Sequence, residues 1–295
     1  MKFIRFMIEN KEKIGVLNSQ GDKIIELSEI SDNPTDGMIE LISNFTDEKF
    51  QKIKEMMNTQ DGTYELENVK ICSPIRKPRH DIICVGVNYA KHLEETQNHF
   101  NADLKHLEDI VFFSKRTVDI IGNEDTIEGH FDLDEKLDYE VELAVIIGKK
   151  GKNIPESEVE EYIFGYSIFN DLSSRGLQKK HTQWFRGKSL DTYCSMGPIL
   201  VYKDELALPF SLNISSEVNG EIRQNSNTNF FLNNIPKIIS EISCGMTLEP
   251  GDIISTGTPD GVGMGFNPPK YLKENDVIIC KIEKIGELKN KVKKL

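Results

Sequence analysis

The chain has no run of about 18 consecutive apolar residues, so nothing in it reads as a membrane-spanning helix. Its opening, Met1-Lys2-Phe3-Ile4-Arg5-Phe6, sets charges where a secretory signal needs an unbroken apolar stretch, and the expectation is a cytoplasmic protein. Histidine is sparse, six residues in 295, and no His-x-x-x-His pair occurs. The five cysteines, Cys72, Cys84, Cys194, Cys244 and Cys280, make no Cys-x-x-Cys pair, which removes the usual zinc spacings. An odd, scattered set among mostly apolar neighbours reads as reduced core thiols. Positive charge is also short: 36 Lys and Arg against 48 Asp and Glu give a net charge of -12. That balance argues against nucleic acid or an anionic membrane as partner, since both require basic patches. The one basic cluster, Lys289 to Lys294, reads as a frayed, solvated tail.

What remains is a chain with 38% hydrophobic residues, enough to bury a substantial core. Strands are expected near Lys2 to Ile8, Lys13 to Leu17 and Lys23 to Leu27, the first two joined by Glu9-Asn10-Lys11-Glu12. Thr46 is a candidate N-cap for a helix that carries Phe50, Ile53 and Met57 at helical spacing. Ser73-Pro74-Ile75-Arg76-Lys77-Pro78 then breaks regular structure, so a small N-terminal α+β domain is placed at 1–70 and a larger domain at 71–295. The second part is β-dominated, with a hairpin at Asn219-Gly220 and a helical pattern over Phe230 to Cys244 that stops at Gly245.

Inside the apolar run Leu137 to Gly148, Glu140 and Glu142 stand two residues apart and share one face of a strand. Side-by-side carboxylates are ordinary on a solvated sheet face; on a buried one they repel and call for a counter-charge such as a divalent cation. A second β-branched and aromatic run, Phe164 to Asn170, ends in Asp171. Three carboxylates from two strands can take one face of an octahedral cation, which suits Mg2+ or Mn2+ better than a thiophilic metal.

His92 and Glu95 lie three apart, the spacing at which a carboxylate can hold one imidazole nitrogen and leave the other as a base, with Glu94 as a rival partner. Lys115 and Lys188 are candidates to hold a substrate carboxylate or an enolate, against the default of surface lysines. The loop Ser255 to Gly265 is glycine-rich but lacks the lysine of a P-loop; its amides and the Thr258 hydroxyl can grip a small anion.

Taken together, Gly86-Val87-Asn88-Tyr89 with His92, Leu137 to Gly148, Gly165-Tyr166 through Asn170-Asp171 and Arg175 to Gln178, Gly187 to Asp191, Met196-Gly197-Pro198, and Gly251 to Pro259 with Ile285 to Asn290 resemble the fumarylacetoacetate hydrolase family. The likeness spans roughly residues 72 to 292. It implies a mixed β-roll, usually a homodimer, with Mg2+ or Mn2+ on Glu140, Glu142 and Asp171. It makes His92 and Glu95 the water-activating pair, places Gln178, Lys188 and Thr258 against substrate, and lines the pocket with Lys115. Arg116, Gly176 and Ser195 depart from the family pattern without removing a ligand or base.

Residues 1 to 70 look like the N-terminal extension of a bacterial branch, and Gly263 to Leu272 resembles members that decarboxylate oxaloacetate. The implied function is C–C bond cleavage in a small 2-oxo acid, either acylpyruvate hydrolysis or oxaloacetate decarboxylation through an enolate. The alternatives are an isomerase or hydratase of 2-hydroxymuconate-type compounds, or a scaffold with a secondary enzymatic role.

Overall fold

The computed structural model describes residues 1–28, 30, 37–96 and 109–294. Their largest feature is a mixed 11-stranded sheet. Across it run Tyr64–Glu65, Lys23–Glu26, Lys11–Leu17, Lys2–Ile8, Cys194–Tyr202, Ile163–Asp171, Val141–Ile147, Ile253–Ser255, Ile82–Gly86 and Val111–Lys115, with Lys70–Cys72 also paired to Lys2–Ile8. All neighbours are antiparallel except Ile253–Ser255 beside Ile82–Gly86. A five-stranded sheet orders Glu221–Asn227, Asn213–Val218, Val277–Ile282, Gly286–Lys293 and Thr126–Glu128. Described helices are short, Asp47–Thr59 being the longest, so the class is β-dominated α+β, as expected.

Val141–Ile147 and Ile163–Asp171 are buried at every position. Strands covered on both faces lose the polar half of the usual alternation, which is why these segments read as continuous apolar runs. Each fully buried aliphatic side chain there contributes roughly 1.5–3 kcal/mol, a reserve against which buried charge can be set. Gly165 lets the central strands close, since a Cβ there would lie 2.2 Å from the Val201 carbonyl oxygen.

The boundary expected near residue 70 is not a gap in the sheet. Lys2 and Phe3 pair with Val201 and Leu200, and Arg5 pairs with Cys72. The rings of Phe3 and Phe45 lie 5.5 and 5.0 Å from that of Phe164. Residues on both sides of the boundary thus share one sheet and one core.

Local expectations hold where a turn or cap carries its own chemistry. Thr46 Oγ1 accepts from the Lys49 amide at 3.3 Å, and Asn219 and Gly220 take φ of 52° and 82° in the hairpin. The first hairpin is tighter than expected: Lys11 and Glu12 enter the ladder, and only Glu9 and Asn10, at φ 49° and 60°, make the turn.

Two expectations are corrected. The basic C-terminal segment is a paired strand, Gly286–Lys293, because Leu288, Asn290 and Val292 alternate inward while the lysines between them face solvent. The helix expected from Phe230 begins only at Ile235, where Asn234 caps the Lys237 amide at 2.8 Å and a proline sits in the first turn.

Gly165→Ala is expected to lower the unfolding free energy by about 1–3 kcal/mol, because backbone rather than a side-chain tip blocks the added methyl. Urea unfolding of the variant beside the native protein measures this.

Candidate active site

The antiparallel register of the two central strands builds the site. Val141 is opposite Asn170, and the Asp171 amide donates to the Glu140 carbonyl at 2.9 Å, which sets Asp171 across from Glu140. Glu142 follows two residues on, on the same face. One carboxylate oxygen from each of Glu140, Glu142 and Asp171 lies within 4.8 Å of the other two, and all three residues are buried. At an effective dielectric of about 20, each like-charge pair at that separation costs on the order of 3 kcal/mol.

Three cations answer this cost. Lys188 Nζ donates to Glu140 Oε2 at 2.7 Å and to Asp171 Oδ2 at 2.8 Å. Lys115 Nζ donates to Asp171 Oδ1 and, at 2.9 Å, to the Leu172 carbonyl. Arg175 donates through Nε to Asp138 at 2.8 Å, while its Nη2 lies 2.7 Å from Glu140 Oε1. Burial alone would raise Glu140, but Lys188, Arg175 and His92 outweigh it and hold its pKa at about 2. Glu142 goes the other way: burial, then the charges of Asp171 and Glu140, push it well above the usual carboxylate range. For Lys188 burial is outweighed by Asp171 and Glu140, so it stays an ammonium, a donor rather than a base. Lys115, Lys188 and Arg175 are thus each placed against one or more of the carboxylates of Asp138, Glu140 and Asp171.

These residues fit a hard divalent cation. The donors are all carboxylate oxygens, and both hydrogen bonds described for Glu142, from Ser255 Oγ at 2.5 Å and the Gly257 amide at 2.9 Å, go to Oε2. Oε1 is left for a ligand bond, and the raised pKa marks a place where positive charge is wanted.

Val87, at φ 55°, and Asn88 turn the chain from the Ile82–Gly86 strand into the helix Ala90–Thr96. Asn88 fastens that corner by donating to the Thr256 carbonyl at 2.8 Å. On the helix, His92 Nδ1 lies 3.0 Å from Glu95 Oε2, with His92 only 5% exposed. This contact favours the tautomer with its proton on Nδ1 and leaves Nε2 basic. Glu95 is held in turn by the Gly261 amide, 2.9 Å from Oε1.

One cleft brings together His92, Glu140, Glu142, Gln178, Lys188 and Thr258, walled by Arg175, Phe113 and Trp184. Lys115, expected to line the pocket, does not border this cleft; it stands fully buried behind Asp171. Thr258 borders the cleft, but its hydroxyl donates to the Val141 carbonyl at 2.9 Å and accepts from Gln224 at 2.8 Å. Four amides of the glycine-rich loop are likewise taken up within the protein. Gly257 donates to Glu142, Gly261 to Glu95, and Gly263 and Met264 to Asp138, so the loop grips the site's own carboxylates.

Sequence reading assigned no role in the site to Arg175, Asp138 or Trp184. For Arg175 a signal existed, the three-residue spacing to Gln178, whose Oε1 accepts from Nη1 at 3.1 Å. The single tryptophan packs over Gly86, where a Cβ would come within 2.7 Å of its ring.

Two buried carboxylates of an acidic triad and an imidazole held by a carboxylate, meeting at one cleft, are the equipment of an enzyme. The chain belongs to the fumarylacetoacetate hydrolase family: the family profile described as fumarylacetoacetate (FAA) hydrolase C-terminal matches residues 81–293. It is 46% identical over 229 residues, 78% of this chain and 75% of the relative, to oxaloacetate tautomerase YisK of Bacillus subtilis. Among solved structures, the fumarylacetoacetate hydrolase of Exiguobacterium antarcticum is similar at a TM-score of 0.84 and 38% identity over the whole of both chains. Maleylpyruvate hydrolase of Sphingobium sp. SYK-6, solved with manganese(II) and pyruvate, is similar at a TM-score of 0.79 and 27% identity, covering 100% of this chain and 99% of that one.

Two outcomes are expected. A carboxyl raised in the fold holds a proton that the unfolded chain releases, so Glu142 makes stability fall as pH rises above the ordinary carboxylate value. A bound dication replaces that proton; the melting temperature gained from Mg2+ after EDTA treatment should therefore be larger at about pH 8 than at about pH 5.5, and should vanish in Glu142→Gln. Separately, a Cβ at Gly265 would come 1.8 Å from Glu95 Oε1, so Gly265→Ala should displace that carboxylate and cut turnover about tenfold or more while the melting temperature stays close to native.

Proposed function

We propose that the protein is a divalent-cation-dependent enzyme that forms an enolate from a small 2-oxo acid, with oxaloacetate keto–enol tautomerisation as its first candidate reaction. The observation that carries this reading is one cleft bordered by Glu140 and Glu142, which cluster with the buried Asp171, and by His92, whose ring is held by Glu95. The tautomerase at 46% identity supports ranking isomerisation above the C–C cleavage expected from sequence.

Glu140, Glu142 and Asp171 would hold Mg2+ or Mn2+. When bound, such an ion withdraws charge from a 2-oxo acid carbonyl and favours the enolate. His92 Nε2 takes the proton from the carbon next to the carbonyl, and the electron pair of that C–H bond moves toward the carbonyl oxygen. Glu95 at Nδ1 offsets the imidazolium charge. Lys188, locked as an ammonium, donates a hydrogen bond to the developing oxyanion. Return of the proton to oxygen completes the enol, and the reverse sequence restores the ketone.

The same residues favour a second reading, C–C cleavage, which the likeness to maleylpyruvate hydrolase supports. There His92 removes a proton from water, hydroxide adds to the distal carbonyl of an acylpyruvate, and the bonding pair departs into pyruvate enolate. Decarboxylation of oxaloacetate needs no activated water. The homodimer implied by the resemblance belongs to this proposal.

NMR of oxaloacetate in D2O with Mg2+ separates these readings. Faster enol–ketone interconversion with unchanged carbon count supports tautomerisation; accumulating pyruvate supports decarboxylation. His92→Ala should slow tautomerisation about 100- to 10,000-fold. Full turnover by Asp171→Asn at native metal affinity would overturn the site.

A further inference from the structure

Arg175 and Gln178 border the catalytic cleft from a helix, Arg175–Lys180, whose first turn is capped from elsewhere in the chain. A serine just before a helix ordinarily accepts a hydrogen bond from an amide of the first turn through its own hydroxyl. Ser174 holds that position and makes no such bond. Its hydroxyl donates instead to Asp134 Oδ2 at 2.6 Å, and the same oxygen accepts from the Gly176 amide, also at 2.6 Å. The cap thus comes from a side chain 42 residues upstream of Gly176, and its carboxylate meets the positive end of the helix.

The fit is mutual. A Cβ on Gly176 would lie 2.5 Å from Asp134 Oδ1 and 2.7 Å from both Cγ and Oδ2, so the carboxylate fills the space that a side chain at 176 would take. The backbone around Asp134 is itself fastened. Its amide donates to the His130 carbonyl at 3.1 Å, the Arg175 amide donates to the Lys136 carbonyl at 3.0 Å, and Leu137–Asp138 pairs with Ser173–Ser174. Asp134 and Asp138 therefore secure the start of the helix at two points, the Gly176 amide and the Arg175 guanidinium. A further part of the site rests on this helix. A Cβ at Gly187 would come within 2.7 Å of Gln178 and of the Ser174 carbonyl, so the turn Phe185–Lys188, with Trp184 before it and Lys188 at its end, packs directly against it.

We propose that Asp134, which does not border the cleft, is a positioning residue for the reaction, a role that rests on the functional reading above. By capping Arg175–Lys180 from outside, it fixes where Arg175, Gln178 and Lys188 stand in the cleft.

Steady-state kinetics on oxaloacetate with Mg2+, well below each melting temperature, test it in Asp134→Ala, Gly176→Ala, their combination and Asp134→Asn. Loss of the cap should lower kcat about tenfold. Gly176→Ala should do the same, although alanine favours a helix over glycine, because its methyl expels the carboxylate. The combined variant should be no slower than either single one, since the second change has nothing left to remove. Asp134→Asn keeps a carbonyl oxygen that can accept both bonds and should recover kcat to within about threefold of native. Trp184, the single tryptophan, reports the same displacement without any reaction: acrylamide should quench its fluorescence more strongly in Asp134→Ala and Gly176→Ala than in the native and Asp134→Asn proteins. Native kcat in Asp134→Ala with only a lowered melting temperature, additive losses in the combined variant, or no recovery in Asp134→Asn overturns the proposal. The expected quenching pattern in a protein inactive on oxaloacetate would sustain the positioning and sink the functional reading; oxaloacetate turnover at the native rate in every variant would do the reverse.

Discussion

Repulsion among three buried carboxylates is the constraint on which the centre of this protein depends. Glu140, Glu142 and Asp171 occupy one face of two adjoining strands, and the fold tolerates them only because Lys115, Lys188 and Arg175 are buried beside them. Taking any one cation away would strand a charge in the interior, at a cost of about 3–5 kcal/mol. Glu142, which has no ion pair among the described residues, is the one of the three whose pKa is pushed up, by burial and by the charges of Asp171 and Glu140.

A second dependence runs through backbone amides. The loop from Gly257 to Met264 donates to Glu142, Glu95 and Asp138, and so touches the acidic triad, the carboxylate that holds His92 and the arginine's anchor. Donors fixed in the backbone do not move with rotamer changes, so the loop orients three carboxylates at once. Gly261, at φ 98° and with a Cβ position 2.0 Å from the Arg223 carbonyl, shows why a loop that approaches so closely is built from glycine.

Much of this was legible because the relevant chemistry is local. The period of two in Glu140-Val141-Glu142, the strand-ending Asp171 and the three-residue step from His92 to Glu95 each carry their geometry in their spacing. Partnerships across long separations were not legible. Arg175 finds Asp138 across 37 residues, and Lys115 finds Asp171 across 56, distances at which no periodicity signals contact. The glycine loop misled for a related reason: its amides do bind anions, but the anions are side chains brought from elsewhere in the fold. In the C-terminal strand, a dense run of lysines masked an alternation that sequence reading had the means to see.

The way residues 1 to 70 enter the main sheet reaches beyond their own stability. Lys2 and Phe3 occupy the free side of Cys194–Tyr202, the strand whose other side holds Ile163–Asp171 in register. The family match begins only at residue 81, so a core trimmed to that match would lose this cover. It would bare the peptide groups and buried apolar side chains of Leu200 and Val201 along an open edge, the kind of surface that recruits strands from other chains. The N-terminal segment therefore acts as an insulator: it closes that edge two strands away from Asp171, where an exposed strand would otherwise invite pairing with another chain.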